Sequence, residues 1–395
     1  MIPKVAIIGG GAAGFFLALT LKERCPQVEV TVFEKSRHVL AKVAISGGGR
    51  CNCTNSFEGV SDLSEVYPRG HRLLKRLFKT FGPTDAFQWF ERHGVRLVTQ
   101  DDNCVFPASQ DAQTIINCFL AEARRHQVHL MTESRIESLS QLEGFDYIAV
   151  TTGGMPRSGF LTDIPIVKPV PSLFTFAIDD AKLHDLMGTV VTHATTSIPG
   201  TKLKGEGPLL ITHWGMSGPS ILKLSSHAAR LLADNNYHMP LAVNWIADND
   251  ATALNELERI MAQYPQKQIT TIRPFDLPTR LWNYLSQKVL GERAQNRWQH
   301  LNRKEVNRLA NTLCNDSYQI AGRAAFKDEF VTCGGVELSA VHSQTLECKT
   351  HPRLYFAGEV LDIDGITGGF NFQAAWTTAY TVAQAIANDI HSHNC

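Results

Sequence analysis

The hydrophobic pattern at the start of the chain predicts a strand, a tight turn and a helix. The β-branched run Val5 to Ile8 is followed at once by "GGGAAG" and then by the apolar helical pattern "FFLALTLKER". A second strand-like run, "EVTVFEK", comes next and ends near Glu34. Strand, helix and parallel strand in this order indicate an α/β domain that begins with a βαβ unit.

The glycine spacing in this turn indicates a dinucleotide site. Gly9 makes the turn, Gly11 lets the backbone approach a pyrophosphate, and Gly14 lets helix and strand pack closely. The free N–H groups at the helix start then hold the phosphates. Glu34 is placed to accept both ribose hydroxyls, which argues against a 2′-phosphate. The predicted contacts in this part of the chain are Gly9, Gly11, Ala12, Ala13, Gly14, Glu34 and Lys35.

A second glycine loop, "ISGGGRCNCTN", follows soon after the acid. Its bare backbone can approach a flat ligand, Arg50 can complement negative charge, and Asn52 offers a donor and an acceptor. These groups suit the polar edge of a flavin ring, although a flexible surface loop is the alternative interpretation. The predicted contacts are Ser46, Gly48, Gly49, Arg50, Cys51 and Asn52.

The last part of the chain predicts a third portion of the same site. A buried strand from Leu354 to Ala357 precedes a loop rich in glycine, and a long amphipathic helix begins near Asn371. The positive end of that helix can stabilise the anion of a reduced flavin, whereas the alternative is a helix used only for packing. The predicted contacts are Thr152, Gly153 and Gly154 after the strand "DYIAVTT", and Gly358, Glu359, Gly368, Gly369, Phe370 and Asn371.

The middle of the chain changes pattern twice. Strand-like runs "SLFTFAI", "GTVVTHATTSI" and "PLLITHW", with a turn predicted at "PGTKLKGEGP", are compatible with a small barrel. Residues 249–315 then carry three helical patterns, "TALNELERIMAQY", "LPTRLWNYLSQKVL" and "KEVNRLANTLC". We therefore predict three parts: a discontinuous FAD domain over 1–167 and 334–395, a barrel-like domain over 168–248 and 316–333, and a helical insert over 249–315.

Composition and charge exclude several function classes. The 395 residues include 38 basic and 38 acidic side chains, so the net charge gives no reason to expect a nucleic-acid partner, although a local basic patch can survive this averaging. A basic amphipathic pattern at residues 71–81 is interpreted as a solvated face. The nine scattered cysteines show no metal spacing and suit a reducing cytoplasm, and no signal peptide or membrane span is predicted. We expect a cytoplasmic protein with no metal and a small-molecule substrate; the pattern leaves the oligomeric state open.

Five motifs in order resemble those of a known family. Lys42 with "ISGGGRCNCTN", then "VFPASQDAQTI", "LLITHWGMSGPSIL", "FVTCGGVEL" and "LYFAGEVLDIDGITGGFNFQAAW", are similar to the bacterial aminoacetone oxidase family, which includes BaiN-like flavoproteins. The resemblance implies a Rossmann-like FAD domain of the glutathione-reductase type, built from both chain ends, with an inserted small β-barrel and helical subdomain. Lys42 and Ile136 complete the predicted cofactor contacts. The chain departs from the family after Gly154, where its segment is shorter.

The candidate chemistry rests mainly on the cofactor. Cys51 and Cys53 are a candidate redox pair; the alternative is that Cys51 only packs against the flavin. His213 is a candidate acid or base, and the alternative is a residue that only stabilises a domain interface. We predict an FAD-dependent oxidoreductase that transfers hydride between flavin N5 and an amine, aminoketone or enone. NAD(P)H is a candidate transient reductant, because no second complete glycine fingerprint occurs. The alternatives are a flavin-dependent RNA-modifying or RNA-binding protein, which would use the helix at 71–81 and the basic residues near 293–308, and a non-catalytic flavin redox sensor.

Overall fold

The structure is a computed structural model that describes residues 2–154, 161–323 and 331–393. Contacts divide the chain into two compact units, Met1–Val170 with Val331–Cys395, and Pro171–Phe330. The shortened segment after Gly154 falls largely on 155–160, and part of the predicted barrel-like domain falls on 324–330; both stretches lie outside the described residues.

The regular elements follow the hydrophobic patterns along the chain. The strands are β1 Lys4–Ile8, β2 Glu29–Phe33, β3 Thr54–Asn55, β4 Leu97–Thr99, β5 Cys104–Pro107, β6 His129–Met131, β7 Tyr147–Val150, β8 Ile166–Ser172, β9 Phe176–Ile178, β10 Val190–Ser197, β11 Lys204–Thr212, β12 Gly215–Ser217, β13 His238–Asn244, β14 Asp316–Arg323, β15 Val331–Val336 and β16 Leu354–Phe356. The α-helices are α1 Ala12–Arg24, α2 Ala41–Ile45, α3 His71–Leu77, α4 Pro83–Arg92, α5 Ala112–Arg125, α6 Ala181–His184, α7 Pro219–His227, α8 Ala229–Asp234, α9 Asp250–Gln263, α10 Thr279–Leu290, α11 Arg303–Cys314 and α12 Phe370–His393.

The first unit is built on a parallel sheet in the order β16-β7-β1-β2-β6. Val5 pairs with Val30 of β2 on one side and with Tyr147 of β7 on the other. Strand β1 is buried along Val5 to Ile8, as expected for a strand covered on both faces. Because all five strands are parallel, the loops that follow them meet at one carboxyl edge.

Helices α1 and α12 and an aromatic cluster form the core of this unit. Phe16 of α1 lies 5.3 Å from Trp376 of α12 and 4.7 Å from Trp89 of α4, measured between ring centroids. A smaller antiparallel sheet, β3-β5-β4, carries the residues that follow the second glycine loop. The Trp376 indole donates to the carbonyl of Cys53 at 2.7 Å, which ties this small sheet to the core helix.

The second unit contains a closed barrel in the order β10-β11-β12-β9-β14-β13, with helices packed around it. The expected barrel and the three helical patterns are confirmed, the latter as α9, α10 and α11. Helices α7 and α8 were not predicted from the sequence. None of the helices in ranges 2–154, 161–323 and 331–393 is long and apolar enough to cross a membrane.

The turn predicted at "PGTKLKGEGP" is wrong in its second half, because residues 204–208 belong to β11. Gly205 lies against helix α7, and an added Cβ there would sit 1.9 Å from the carbonyl oxygen of Ser220. The glycine therefore marks the close approach of a helix to a strand instead of a turn.

Candidate functional site

The glycine turn after β1 packs as tightly as its spacing predicts. Gly9 has a positive φ of 118°, and an added Cβ would lie 2.5 Å from the carbonyl oxygen of Thr151. A Cβ on Gly14 would lie 2.0 Å from the carbonyl oxygen of Gly9. Two of the three fingerprint glycines therefore let the first turn of α1 lie directly against β1 and the end of β7.

Gly11 differs from these two, because an added Cβ would meet nothing within 4 Å. It is also the N-cap of α1, which has no side-chain cap and no acidic residue in its first turn. The first N–H groups of α1 therefore face an open space that suits an anion, and a pyrophosphate fits this arrangement.

Glu34 lies at the end of β2, beside the same turn. Its Oε2 accepts from the N–H of Gly10 at 2.9 Å, and its Oε1 accepts from the N–H and hydroxyl of Ser36 at 2.9 and 2.8 Å. These bonds orient the carboxylate, and Oε2, which accepts only one of them, retains acceptor capacity. The geometry therefore fits the predicted role as a ribose contact.

The loops after β7 and β16 close the same edge of the sheet. Lys42 donates to Oε2 of Glu359 at 2.7 Å, and the N–H of Thr332 donates to the other carboxylate oxygen at 2.7 Å. Gly358 lies against α1, since its added Cβ would be 2.9 Å from that of Ala13. The hydroxyl of Thr152 is buried and has no partner among the residues described. A buried hydroxyl without a partner at this edge is a further position where a ligand fits.

The second glycine loop has a left-handed backbone at three successive residues. Gly47, Gly48 and Gly49 have φ values of 57°, 69° and 84°. An added Cβ at Gly48 or Gly49 would meet nothing within 4 Å, so the backbone of these two residues borders open space. This loop is a defined turn, in agreement with the prediction of a backbone-exposing loop.

Arg50 is held in place by residues that sequence reasoning did not single out. Its Nε donates to the carbonyl of Gly47 at 3.1 Å, and its guanidinium lies 4.3 Å from the centroid of the Phe106 ring. Gln110 accepts from Nη1 of Arg50 at 3.3 Å. Both partners belong to the "VFPASQDAQTI" motif, which was the only sequence signal that could have found them.

The second glycine loop meets the loop before α12. With its amide oriented to satisfy both ends, Asn52 donates to the carbonyl of Thr54 and accepts from the N–H of Gly369 at 3.2 Å. Asn55 donates to the carbonyl of Gly368 at 2.9 Å. Residues 46–52 and 368–371 are therefore neighbours, which the site prediction requires.

The loop that leads into α12 is fixed by buried polar contacts. The side-chain oxygen of Asn371 accepts from the N–H of Gly365 at 2.8 Å, and its amide donates to the carbonyl of the same glycine at 2.9 Å. Arg69 forms an ion pair with Asp364, whose side chain is 0% exposed. Asn371 thus shapes the loop, and the start of α12 has no acidic residue to compensate its positive end.

Three predicted site residues stand apart from these contacts. Lys35 is exposed, and Ile136 is partly buried against the core of the first unit. His213 is exposed in the turn between β11 and β12, with its ring centroid 3.8 Å from that of Trp214. Their roles stay predictions.

The thiols of the second glycine loop are deeply buried. Burial raises the pKa of Cys51 to about 12. Burial, assisted by the neighbouring Cys51, raises the pKa of Cys53 well above its usual range. Both side chains are 0% exposed, and Cys53 donates to the carbonyl of Val105 at 3.4 Å. Since the thiolate is the reactive form, this geometry does not favour a redox pair.

We expect Cys51 to resist alkylation in the folded protein. At pH 8 a thiol with a pKa near 12 carries about a thousandfold less thiolate than an ordinary thiol, even before access is considered. The measurement is iodoacetamide labelling followed by peptide mass mapping, with a urea-unfolded sample as the control in which Cys51 reacts fully. Rapid native labelling at Cys51 or Cys53 would contradict the burial and revive the redox-sensor alternative.

Comparisons with known proteins place both units in one family. The model of the HI0933-like protein Rossmann domain matches residues 3–157, and that of the HI0933-like protein barrel and H2TH domain matches residues 170–331. A ribosomal RNA dihydrouridine synthase of Escherichia coli is 28% identical over 96% of both chains. One of the same name from Haemophilus influenzae is 25% identical over 96% of this chain and 98% of its own. A 3-dehydro-bile acid delta(4,6)-reductase of Clostridium scindens is 25% identical over 97% of this chain and 99% of its own.

The Rossmann sheet, its two glycine loops and the positive end of α12 define an FAD-dependent oxidoreductase. The chain belongs to the HI0933-like family, and the resemblance drawn from its motifs is confirmed.

Proposed function

We propose that the protein reduces a carbon–carbon double bond conjugated to a carbonyl group, and that its substrate is a uracil ring in ribosomal RNA. The observation that carries the proposal is the name of two relatives aligned over 96% of this chain, both ribosomal RNA dihydrouridine synthases. Dihydrouridine differs from uridine by saturation of the C5–C6 bond beside the C4 carbonyl. The bile-acid reductase is likewise named for double bonds in a keto steroid, so one reaction class accounts for all three names.

The residues of the site support this reaction class by their positions. When bound and reduced, FAD would supply the hydride, and a proton would complete the saturated product. The start of α1 and Gly11 would hold the pyrophosphate, and Glu34 would hold the ribose. Arg50 and the start of α12 provide positive charge where the flavin would bind.

We further propose NAD(P)H as the transient reductant, since the sequence has no second complete glycine fingerprint for a resident nicotinamide. A small enone is a second candidate substrate, favoured by the name of the bile-acid reductase. The amine and aminoketone classes expected from the sequence stay predictions.

The test is complementation of the Escherichia coli relative. We expect expression of this chain, in a strain lacking that relative, to restore the missing dihydrouridine, measured by mass spectrometry of nucleosides from purified ribosomal RNA. The empty vector is the control. Unrestored dihydrouridine in cells that contain the FAD-loaded protein would refute the RNA substrate. Anaerobic reoxidation of the reduced protein by 2-cyclohexenone, with no bleaching of the oxidised protein by aminoacetone, would then support the small enone.

A further inference from the structure

The balanced charge of the whole chain conceals a basic segment in the second unit. Residues 267–312 hold nine Lys and Arg residues against three Asp and Glu residues, whereas the full sequence has 38 of each kind. This segment contains α10 and α11. The argument from net charge against a nucleic-acid partner therefore does not apply to this part of the surface.

The positive charge of α11 lies on its solvent face. Lys304, Asn307, Arg308 and Asn311 are spaced i, i+3, i+4 and i+7, and all four are exposed. Arg303 is exposed one position before them. The opposite face is buried through Val306, Leu309, Ala310 and Leu313. Packing of this apolar face therefore orients α11 so that its basic and amide side chains are exposed to solvent.

A groove of about 480 Å³ runs between α10 and α11 beside this face. Its lining residues are Lys288, Val289, Asn307, Arg308, Asn311 and Thr312. Five of these six side chains are polar, and the two asparagine amides can each donate and accept. The groove is suited to a ligand that carries both phosphates and hydrogen-bonding groups.

Neighbouring acids neutralise some of the cations in the segment but not those on the α11 face. Lys288 pairs with Asp316 at 2.6 Å, and Arg293 pairs with Glu305 at 3.2 Å. Within the part of the chain that the structure describes, the side chains of Arg303, Lys304 and Arg308 form no hydrogen bond or ion pair.

Two of these cations oppose the local stability of their helix. Arg303 and Lys304 occupy the first turn of α11, next to the positive end of the helix, where an acidic residue is preferred. A residue that lowers the stability of its own helix in this way is typical of functional surfaces.

We propose that the basic α11 face, defined as Arg303, Lys304, Asn307, Arg308 and Asn311, binds the RNA substrate through its phosphate backbone. This inference rests on the proposed function, because it names the surface that holds the RNA. Three uncompensated cations in the first half of α11 attract successive phosphates, and the asparagine amides hydrogen-bond to sugar or base edges. Lys288 and Thr312 extend the contact into the groove.

The experiment measures RNA binding by the FAD-loaded full chain. The probe is a fluorescein-labelled 40-nucleotide transcript of an unmodified ribosomal RNA stem-loop, titrated at several salt concentrations. For the triple variant R303Q/K304Q/R308Q we expect about ten- to hundredfold weaker binding at low salt, and a log–log salt slope smaller by about 2 to 3. Unchanged flavin absorbance and unchanged urea unfolding show that the variant is folded.

The matched control removes three exposed cations from the other basic surface of the chain. Arg72, Lys75 and Lys79 are exposed on and just after α3 in the first unit, and R72Q/K75Q/K79Q should leave affinity and salt slope close to those of the wild type. A loss confined to this control variant would overturn the proposal. Polyglutamate that competes with the RNA would also overturn it, because it would show a site without RNA preference.

The two proposals fail in different ways. If the wild type binds the transcript through the basic α11 face but forms no dihydrouridine in the complementation test, the proposed RNA-binding surface is supported and the proposed reaction is refuted. If the triple variant restores dihydrouridine and binds the transcript as well as the wild type does, the proposed reaction is supported and the proposed RNA-binding surface is refuted.

Discussion

Gly14→Ala is expected to abolish tight FAD binding and destabilise the protein, whereas Gly11→Ala is expected to affect binding alone. A Cβ at position 14 would lie 2.0 Å from the backbone oxygen of Gly9, so α1 must shift away from the turn. We expect a loss of about 1–3 kcal/mol in the free energy of unfolding, as for other overpacked sites, and at least a tenfold loss in FAD affinity.

Gly11→Ala is the matched comparison, because its Cβ would meet no protein atom within 4 Å. Its backbone is extended, which alanine also adopts, so the apoprotein should lose about 1 kcal/mol or less. FAD affinity should nevertheless fall at least tenfold, since the methyl group occupies space assigned to the pyrophosphate. Urea unfolding of the apoproteins and fluorescence titration with FAD separate the two effects. Wild-type affinity in Gly11→Ala would remove this turn from the cofactor site.

Arg69→Met should strongly destabilise the loop before α12, although Arg69 itself lies just before α3. It leaves the carboxylate of Asp364, which is 0% exposed, without its ion-pair partner. Breaking a buried pair from one side costs about 3–5 kcal/mol. FAD binding should weaken as well, because Asp364 adjoins Gly365, which Asn371 holds in front of the helix.

Two further variants test whether the loss of stability arises because the ion pair is buried. Lys204→Met breaks an ion pair with Glu206 whose partners are 65% and 59% exposed, so it should cost about 1 kcal/mol or less. In the double variant R69M/D364L both charges are removed, and part of the lost stability should return. A single variant R69M as stable as K204M, in urea unfolding at neutral pH, would contradict the importance of this pair.

The parts of the site that were predictable are those whose signal is local in sequence. Gly9, Gly11 and Gly14 lie close together in the sequence directly after a strand, so their spacing alone was sufficient to predict the turn. The sequence also predicted that the second glycine loop and the start of α12 lie close together, because each segment exposes its backbone beside a turn or a helix end.

Contacts between distant residues could not be read from the chain. Arg69 and Asp364 are separated by 295 positions, and Arg50 and Gln110 by 60, so no periodicity relates them. Gly205 was wrongly predicted to be a turn residue. A glycine is needed there because helix α7 lies against it, and the sequence did not predict that helix. Net charge has a similar limit, since a total of zero carries no information about where the charges lie.

The order of the chain in the first unit has a consequence for how the protein matures. Residues 171–330 form a compact unit of their own, but strand β16 and helix α12, which complete the sheet and face the second glycine loop, come from the final stretch 331–395. During vectorial synthesis the second unit can therefore fold before β16 and α12 have been made. A nascent chain stalled before β16 lacks both elements, and we expect it not to retain FAD.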